Sequence, residues 1–201
     1  MDEVLLARIR RMANSDDWEV REKAAVEIKE VNDKYFEEYF PRWKRWARDN
    51  NPNIRRAVEV GLLRIKKEHY KKSLQLLMPL LRDPNKYVRK NCGPFALSAV
   101  AFRDHKASFR KFRELIQNTD KNLRWNIAVC LGVMFGVKYP KESLKLLRVL
   151  AKDKRRFVWG AAASSLIKLV RRDPKLQKTI SSWKGMDECL AVVKKYRIAS
   201  R

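Results

Sequence analysis

The sequence predicts an all-α fold, a right-handed α-solenoid of about five to six stacked helix pairs. A pair made of an apolar residue and a following arginine recurs every 34 or 35 residues, at Val20-Arg21, Ile54-Arg55, Val88-Arg89 and Leu123-Arg124. The fifth copy has tryptophan in place of arginine, at Val158-Trp159. A second apolar series keeps the same step, at Leu6, Phe40, Leu74, Phe109 and Leu144. The 201 residues include only 6 Gly and 7 Pro, which argues against a loop-rich or β-rich chain.

The first helix of each pair, helix A, is predicted from apolar residues three positions apart, such as Leu74, Leu77 and Leu80. Trp43 and Trp46 occupy this series in the second pair and are expected in the core. Helix B begins at the apolar residue of the recurring pair. Positions 4, 8 and 11 after that residue are apolar or small, and at ~100° per residue they form one stripe that packs on helix A.

A residue that favours turns or helix starts lies five positions before each recurring pair: Ser15, Asp49, Asp83, Asn118 and Asp153. These signals predict helix pairs at about 2–32, 34–66, 69–102, 106–137 and 140–172, with a capping segment at 174–201. All of them are expected to form one repeat domain over residues 1–201.

Charge gives the first indication of function. The chain has 47 Lys and Arg against 23 Asp and Glu, a formal net charge of +24, and such a surface attracts polyanions. Three cysteines without a CxxC spacing and two distant histidines predict no metal site and no cofactor, with Cys92 and Cys130 as buried thiols. The sequence shows no signal peptide and no apolar run of membrane length, so we expect a cytoplasmic monomer.

Cations that flank the recurring arginines, several of them at the start of a helix B, are the predicted phosphate contacts, with two tryptophans as stacking surfaces. These residues are Arg56, Lys90, Lys121, Lys154, Arg155, Arg156, Lys168 and Arg171, with Trp125 and Trp159. The alternative for both tryptophans is a place at the edge of the core. The recurring arginines themselves, Arg21 to Arg124, are expected to pair with the turn Asp of their own or a neighbouring repeat.

Positions 2, 6 and 9 of helix B should face the concave side, yet the middle repeats are apolar there, for example at Val60, Leu63 and Leu97. These side chains either form a contact surface or are buried between neighbouring helices B. Glu59 is the interior acid beside them, and a carboxylate can stabilise the sugar cation that develops during base excision. The alternative for Glu59 is an ion pair with Arg55 or Arg89.

Three segments, residues 15–22, 53–57 and 83–90, resemble successive repeats of the bacterial DNA alkylation-repair proteins, which are HEAT-like-repeat DNA glycosylases. The resemblance covers about residues 15–172. It implies a cationic concave surface that binds duplex DNA carrying N-alkylated purines, and a monofunctional excision that uses an acid and aromatic residues. Residues 91–98 contain no acid where such proteins carry one. The resemblance therefore implies the fold and DNA binding more strongly than it implies catalysis.

We therefore expect a DNA-binding HEAT-like protein of the alkylation-repair class, which either excises alkylated purines as a hydrolase or binds DNA without chemistry. The alternative is a non-enzymatic scaffold that binds nucleic acid, RNA included, or an acidic protein. The sequence contains no nucleotide-binding glycine loop, nucleophile triad or metal motif, which excludes the other common enzyme classes.

Overall fold

Helices supply the regular structure of the computed structural model, which describes residues 2–198. No strand forms within that range, which confirms the all-α class predicted from the repeat. Met1 and residues 199–201, the last part of the predicted capping segment, lie outside the described residues. No helix between residues 2 and 198 combines the length and the apolar composition needed to cross a membrane.

The chain divides into two compact units, residues 1–105 and 106–201, of which 2–105 and 106–198 are described. The helices of the first unit are α1 (Glu3–Ala13), α2 (Trp18–Trp46), α3 (Pro52–Gly61), α4 (Tyr70–Leu80), α5 (Lys86–Asn91) and α6 (Ser98–Arg103). A 3₁₀ turn, Lys67–His69, precedes α4, and a π-helical segment, Cys92–Leu97, joins α5 to α6.

The second unit continues the helical series. These are α7 (His105–Leu115), α8 (Lys121–Cys130), α9 (Met134–Lys138), α10 (Pro140–Leu150), α11 (Arg156–Arg172), α12 (Leu176–Ser181) and α13 (Asp187–Ile198). Helix α7 begins one residue before the boundary between the units. Helices A are α1, the second half of α2, α4, α7 and α10, and helices B begin at Trp18, Pro52, Lys86, Lys121 and Arg156.

The turn before each helix B is built by the residue type that the sequence pattern singled out. The side chains of Ser15, Asp49, Asp83, Asn118 and Asp153 each accept a hydrogen bond from the backbone N–H two residues later, at 2.8–3.1 Å. Such turns fix the chain direction because the side chain replaces a backbone acceptor. In the first four turns the helix cap itself comes two residues later, at Asp17, Asn51, Asn85 and Asp120.

The recurring arginines hold these turns closed. Arg55 donates to the carbonyl oxygens of Asp49 and Asn50 at 2.6 and 3.0 Å, and Arg21 and Arg89 make the same two contacts in their own turns. Arg55 also pairs with Asp83 of the next repeat at 2.5 Å, and Arg124 pairs with Asp153 at 2.7 Å. The predicted pairing with a turn Asp is thus confirmed for Arg55 and Arg124, so these cations belong to the scaffold.

The predicted core stripe of helix B is buried at positions 4 and 8 in every repeat. Position 11 fails in two repeats, because Met134 is 69% exposed and Ala99 is only partly buried. The cause is local: α8 ends at Cys130 and Val133 is extended, while the π-helical segment Cys92–Leu97 changes the register before Ala99. Trp43 and Trp46 are buried as predicted, and so are Cys92 and Cys130.

Candidate functional site

The first unit carries a surface groove where three helices B start side by side. Helix α3 packs against both α2 and α5, so the first turns of the three helices form one continuous face. A cavity of about 490 Å³ opens there. The side chains that matter for its chemistry are Trp18, Glu22, Asn53, Arg56, Tyr87 and Lys90. We call it the unit 1 groove.

Two aromatic rings of the unit 1 groove face solvent. Trp18 is 64% exposed and Tyr87 is 65% exposed. Trp18 lies two residues before the recurring Val20, and Tyr87 lies one residue before the recurring Val88. Sequence reasoning missed both residues because it considered only cations, and no aromatic residues, at the positions before the recurring pair. Their place in the first turn of a helix B was the signal that could have found them.

The cations of the unit 1 groove differ in how freely they can meet a ligand. Arg56 forms an ion pair with Glu22 at 2.5 Å, and Arg21 is held by the carbonyl oxygens of Ser15 and Asp16. Lys90 is exposed and has no ion-pair partner within the described part of the chain. The predicted contacts Arg56 and Lys90 therefore lie in one groove, with Lys90 as the more available charge.

The second unit presents an aromatic pair at the equivalent place. The rings of Trp125 and Phe157 stack with centroids 5.5 Å apart and planes 14° apart. Phe157 is 41% exposed, whereas Trp125 and Trp159 are partly buried. The pattern that selected Trp125 missed Phe157, which follows Arg156 in the first turn of α11. Trp125 therefore lies at the edge of an exposed pair.

Three of the predicted cations are close in sequence to the two residues of this aromatic pair. Lys121 and Arg156 begin α8 and α11, and Lys154 is in the turn before α11. All three are exposed, and none has an ion pair with another residue of the 2–198 range. They remain available to an anionic ligand.

Arg155 behaves differently from its neighbours. Its guanidinium group donates two hydrogen bonds to the Asp153 carboxylate, at 2.8 and 2.7 Å, and another to the Thr119 carbonyl oxygen. The Asp153 carboxylate raises the pKa of Arg155. The prediction that Arg155 contacts a phosphate is thus corrected. Arg155 fixes the turn, because the N–H groups of its guanidinium already have acceptors.

Lys168 and Arg171 lie on the last turns of α11. Lys168 is exposed, and the guanidinium group of Arg171 lies 4.4 Å from the ring centroid of Tyr196. At 1.5 Å per residue, Lys168 is about 18 Å along the helix from Arg156. The structure does not bring these two cations together with the aromatic pair.

Glu59 is buried, with 0% exposure. Neither of its carboxylate oxygens has a hydrogen-bond partner among the described residues, and the predicted ion pairs with Arg55 or Arg89 do not form. Burial raises the pKa of Glu59 to about 8, with Arg56 acting in the opposite direction and Glu22 adding to the rise. Glu59 therefore lacks the solvent access that the catalytic role requires, and its burial disfavours the ionised form that the role also needs.

The apolar stripe of the middle helices B is only partly open. Leu97 and Gly132 are buried, and a Cβ atom at Gly132 would come within 2.6 Å of the Ser165 backbone. Val60 and Leu63 are partly exposed. Close packing between neighbouring helices B, rather than a ligand, therefore accounts for the glycine at position 132.

Comparison with known proteins supports the repeat architecture. A family model of HEAT repeats matches residues 3–93 and 77–167. No curated protein matches the chain. Solved structures with a similar arrangement include the designed armadillo repeat protein YIII(Dq)4CqI, with 14% identity, 93% of this chain and 98% of that chain covered, and a TM-score of 0.38.

Two further structures are similar to the same degree. One is an engineered protein with 13% identity, 96% and 98% coverage and a TM-score of 0.39. The other is the designed armadillo repeat protein YIII(Dq.V1)4CPAF in complex with the peptide (KR)4, with 14% identity, 94% and 97% coverage and a TM-score of 0.35. Such low identities and scores say nothing about what this chain binds. The family match spans most of the chain, and the recurring helix pairs with their arginine-closed turns agree with it, so this protein belongs to the HEAT-repeat family.

Proposed function

We propose that this HEAT-repeat protein binds nucleic acid through the first turns of its helices B, which we call the B-helix edges. The observation that carries the proposal is the presence of unpaired cations beside exposed aromatic rings in each unit. Lys90 accompanies Trp18 and Tyr87 in the first unit, and Lys121, Lys154 and Arg156 accompany the Trp125–Phe157 pair in the second.

Charge favours nucleic acid over an uncharged or basic partner. With 47 basic and 23 acidic residues, the surface has many more cations than its own carboxylates can pair. Phosphate groups are the ligands that such cations contact in nucleic-acid complexes, and aromatic rings add stacking with bases. An acidic protein would also use the cations and could cover the rings with its own side chains, so the salt dependence of binding is what separates the two partners.

The proposal does not include base excision through Glu59. A glycosylase of the class that the sequence resembles needs an accessible carboxylate beside the sugar, whereas Glu59 is fully buried and burial raises its pKa to about 8. The alkylation-repair resemblance therefore supports the binding surface more than the chemistry. A single-turnover assay on duplex DNA with alkylated purines tests this directly, and release of free base would contradict it.

The binding proposal is tested by titrating the protein into labelled single-stranded and duplex DNA at several salt concentrations. Each phosphate that the protein neutralises contributes about −0.7 to −0.9 to the slope of log K against log salt. We expect tight binding at low salt and a steep negative slope. Absence of binding at low salt, or a slope near zero, would favour the protein-scaffold alternative.

Charge-reversal variants locate the interface. Lys90→Glu should weaken binding and make the salt slope shallower, because it removes one phosphate contact. The matched control is Lys71→Glu, which makes the same charge change at an exposed position on α4, a helix A. Equal effects of the two variants would mean that only net charge matters and that the B-helix edges are not the site.

A further inference from the structure

We infer that the unit 1 groove binds unpaired nucleotides, whose bases stack on the exposed rings of Trp18 and Tyr87. This inference rests on the proposed nucleic-acid binding and names the form of nucleic acid. It is carried by the groove itself: a cavity of about 490 Å³ that contains two rings, each more than 60% exposed, together with Lys90 and Arg56.

The exposure of the two rings is the central observation. Trp18 has no ring or cation contact within the described residues, and the contact recorded for the Tyr87 ring is the Lys86 ammonium group at 5.4 Å from its centroid. Large aromatic side chains usually bury most of their surface, so two open rings in one groove indicate a ligand that covers them. Base faces are flat apolar surfaces that fit against such rings, with their phosphates beside Lys90.

The availability of base faces decides between paired and unpaired nucleic acid. In a duplex, the bases stack on each other, and a protein on the outside meets phosphates and base edges. An open ring on the protein surface gains little from such a partner. In a single strand, each base can leave its neighbour and stack on an aromatic side chain without regard to sequence. The groove therefore fits unpaired nucleotides better than a duplex.

The arrangement of helices indicates how a strand would lie. Helix α3 packs between α2, which carries Trp18, and α5, which carries Tyr87. Adjacent helices pack about 8–10 Å apart, so the axes of α2 and α5 lie roughly 16–20 Å apart, and the two rings line the cavity from opposite sides of α3. The Arg56–Glu22 pair lies on α3 and α2 between them, and Lys90 lies beside Tyr87. Lys90 is placed to contact a phosphate, and Arg56 can do so by exchanging Glu22 for it.

The test measures the affinity of the whole chain for three probes. These are a labelled oligothymidylate of about 12 nucleotides, an abasic strand of the same length, and a duplex. Trp18→Ala and Tyr87→Ala should each weaken binding to the oligothymidylate about tenfold, because stacking on one base contributes a factor of that size. Binding to the abasic strand should not change, because it has the phosphates but no base to stack.

Tyr35→Ala is the matched control variant. Tyr35 is 56% exposed, lies in the same unit and does not line the unit 1 groove, so its removal should leave all three affinities unchanged. Thermal unfolding of each variant checks that the fold is intact, which the exposure of all three rings leads us to expect.

The outcomes separate the two proposals. Equal wild-type affinity for the oligothymidylate and the abasic strand, unaltered by Trp18→Ala, would overturn stacking but leave phosphate binding standing. Preference for the duplex over the single strand would also overturn the inference while supporting nucleic-acid binding. Failure to bind any of the three probes at low salt would overturn the proposed function, and this inference with it.

Discussion

Glu59 illustrates how one residue can depart from an otherwise regular repeat. Five positions after the recurring apolar residue, the other helices B have a small residue: Ala25, Gly93, Ala128 and Ala163. Small residues suit this position because it is buried in every repeat. Glu59 places a carboxyl group at the same position, buried and without a hydrogen-bond partner among the described residues. A neutral carboxyl costs less there than a carboxylate would.

Glu59→Gln should remove a pH dependence of stability. The pKa of Glu59 is raised by burial to about 8 from an ordinary value of 4.5, so the folded state prefers the proton. The contribution of Glu59 to stability is therefore complete below pH 4.5 and is lost as pH rises through about 8, a change on the order of 5 kcal/mol in all. Urea unfolding at about pH 5 and pH 8 should show that the Gln variant gains on the wild type as pH rises.

The control for that experiment is Glu142→Gln, which removes a carboxylate from an exposed position of α10. The difference between this control and the wild type should vary less with pH than the difference made by Glu59→Gln. A Glu59→Gln difference that is the same at both pH values would show that Glu59 is ionised in the folded protein.

Two glycines of the second unit should respond in opposite ways to the same substitution. A Cβ atom at Gly160, inside α11, would meet no atom within 4 Å, so Gly160→Ala should stabilise the protein by about 1 kcal/mol through helix propensity. At Gly132 the Cβ would lie 2.2 Å from Ser165 Oγ and 2.6 Å from Ser165 Cα, which is backbone. Gly132→Ala should therefore destabilise by roughly 1–3 kcal/mol.

Thermal unfolding of the two alanine variants measures this contrast directly, with each serving as the control for the other. The Ser165 hydroxyl donates to the Ala128 carbonyl oxygen at 2.8 Å, so a shift of Ser165 would break that bond as well. A Gly132→Ala protein as stable as the wild type would mean that α11 can move away from α8 without cost.

At the scale of elements, the turns before helices B are the most regular part of the molecule. Asp153 shows why: it accepts hydrogen bonds from the backbone and side chain of Arg155 and forms an ion pair with Arg124 at 2.7 Å. The hydrogen bond from Arg155 holds the pKa of Asp153 below its ordinary value of 3.8, with the charges of Arg124 and Arg155 adding to this and burial opposing it. One carboxylate thus joins α8 to the start of α11.

Asp153→Asn should destabilise the protein by roughly 3 kcal/mol, because the Arg124 side chain, only 14% exposed, loses its counter-charge. Since the pKa of Asp153 is lowered by folding, its contribution is present above pH 3.8 and is lost as pH falls below it. Denaturant unfolding at about pH 7 and pH 3 measures both effects, and the loss relative to wild type should shrink at the lower pH.

Asp16→Asn is the control for Asp153→Asn. Asp16 lies in the turn before α2, is exposed, and its side chain has no ion pair within the described range. The control should change stability by less than about 0.5 kcal/mol. Equal losses from both variants would mean that the Arg124–Asp153 pair adds no more than a surface charge.

Repeat period alone was enough to place helices, but it could not detect departures from the period. The predicted break between the first two repeats does not form a loop, because α2 runs without interruption from Trp18 to Trp46 and only bends at Tyr35. The π-helical segment Cys92–Leu97 and the early end of α8 shift the core register after them, which is why Met134 is exposed. Such local distortions depend on the fit between neighbouring helices, which a period does not contain.

At the scale of the whole molecule, the charge imbalance should make stability depend on salt. A formal charge of +24 on 201 residues implies repulsion among exposed cations that added salt screens. We expect the Tm to rise when ionic strength increases from about 0.02 M to 0.2 M, where the screening length falls severalfold. A Tm that falls over this range would show that ion pairs such as Arg55–Asp83 outweigh the repulsion.

The variants Lys90→Glu and Lys71→Glu also test whether the repulsion is spread over the whole chain. Each lowers the net charge equally, so both should reduce the salt dependence of Tm by a similar amount. A large difference between them would place the repulsion at one surface instead of over the whole chain. The comparison is made in the absence of nucleic acid, because a bound polyanion would itself stabilise the folded state.

The sequence by itself determined the helical repeat, the turn residues, the core stripe and the excess of positive charge. Those properties follow from spacing and composition, since a residue's face on a helix is set by its position in the period. Only the tertiary structure decided which chemistry-bearing residues are accessible. It buried Glu59, engaged Arg155 with Asp153, and left Trp18 and Tyr87 open in one groove. Accessibility depends on what the neighbouring repeat covers, and that is a property of packing.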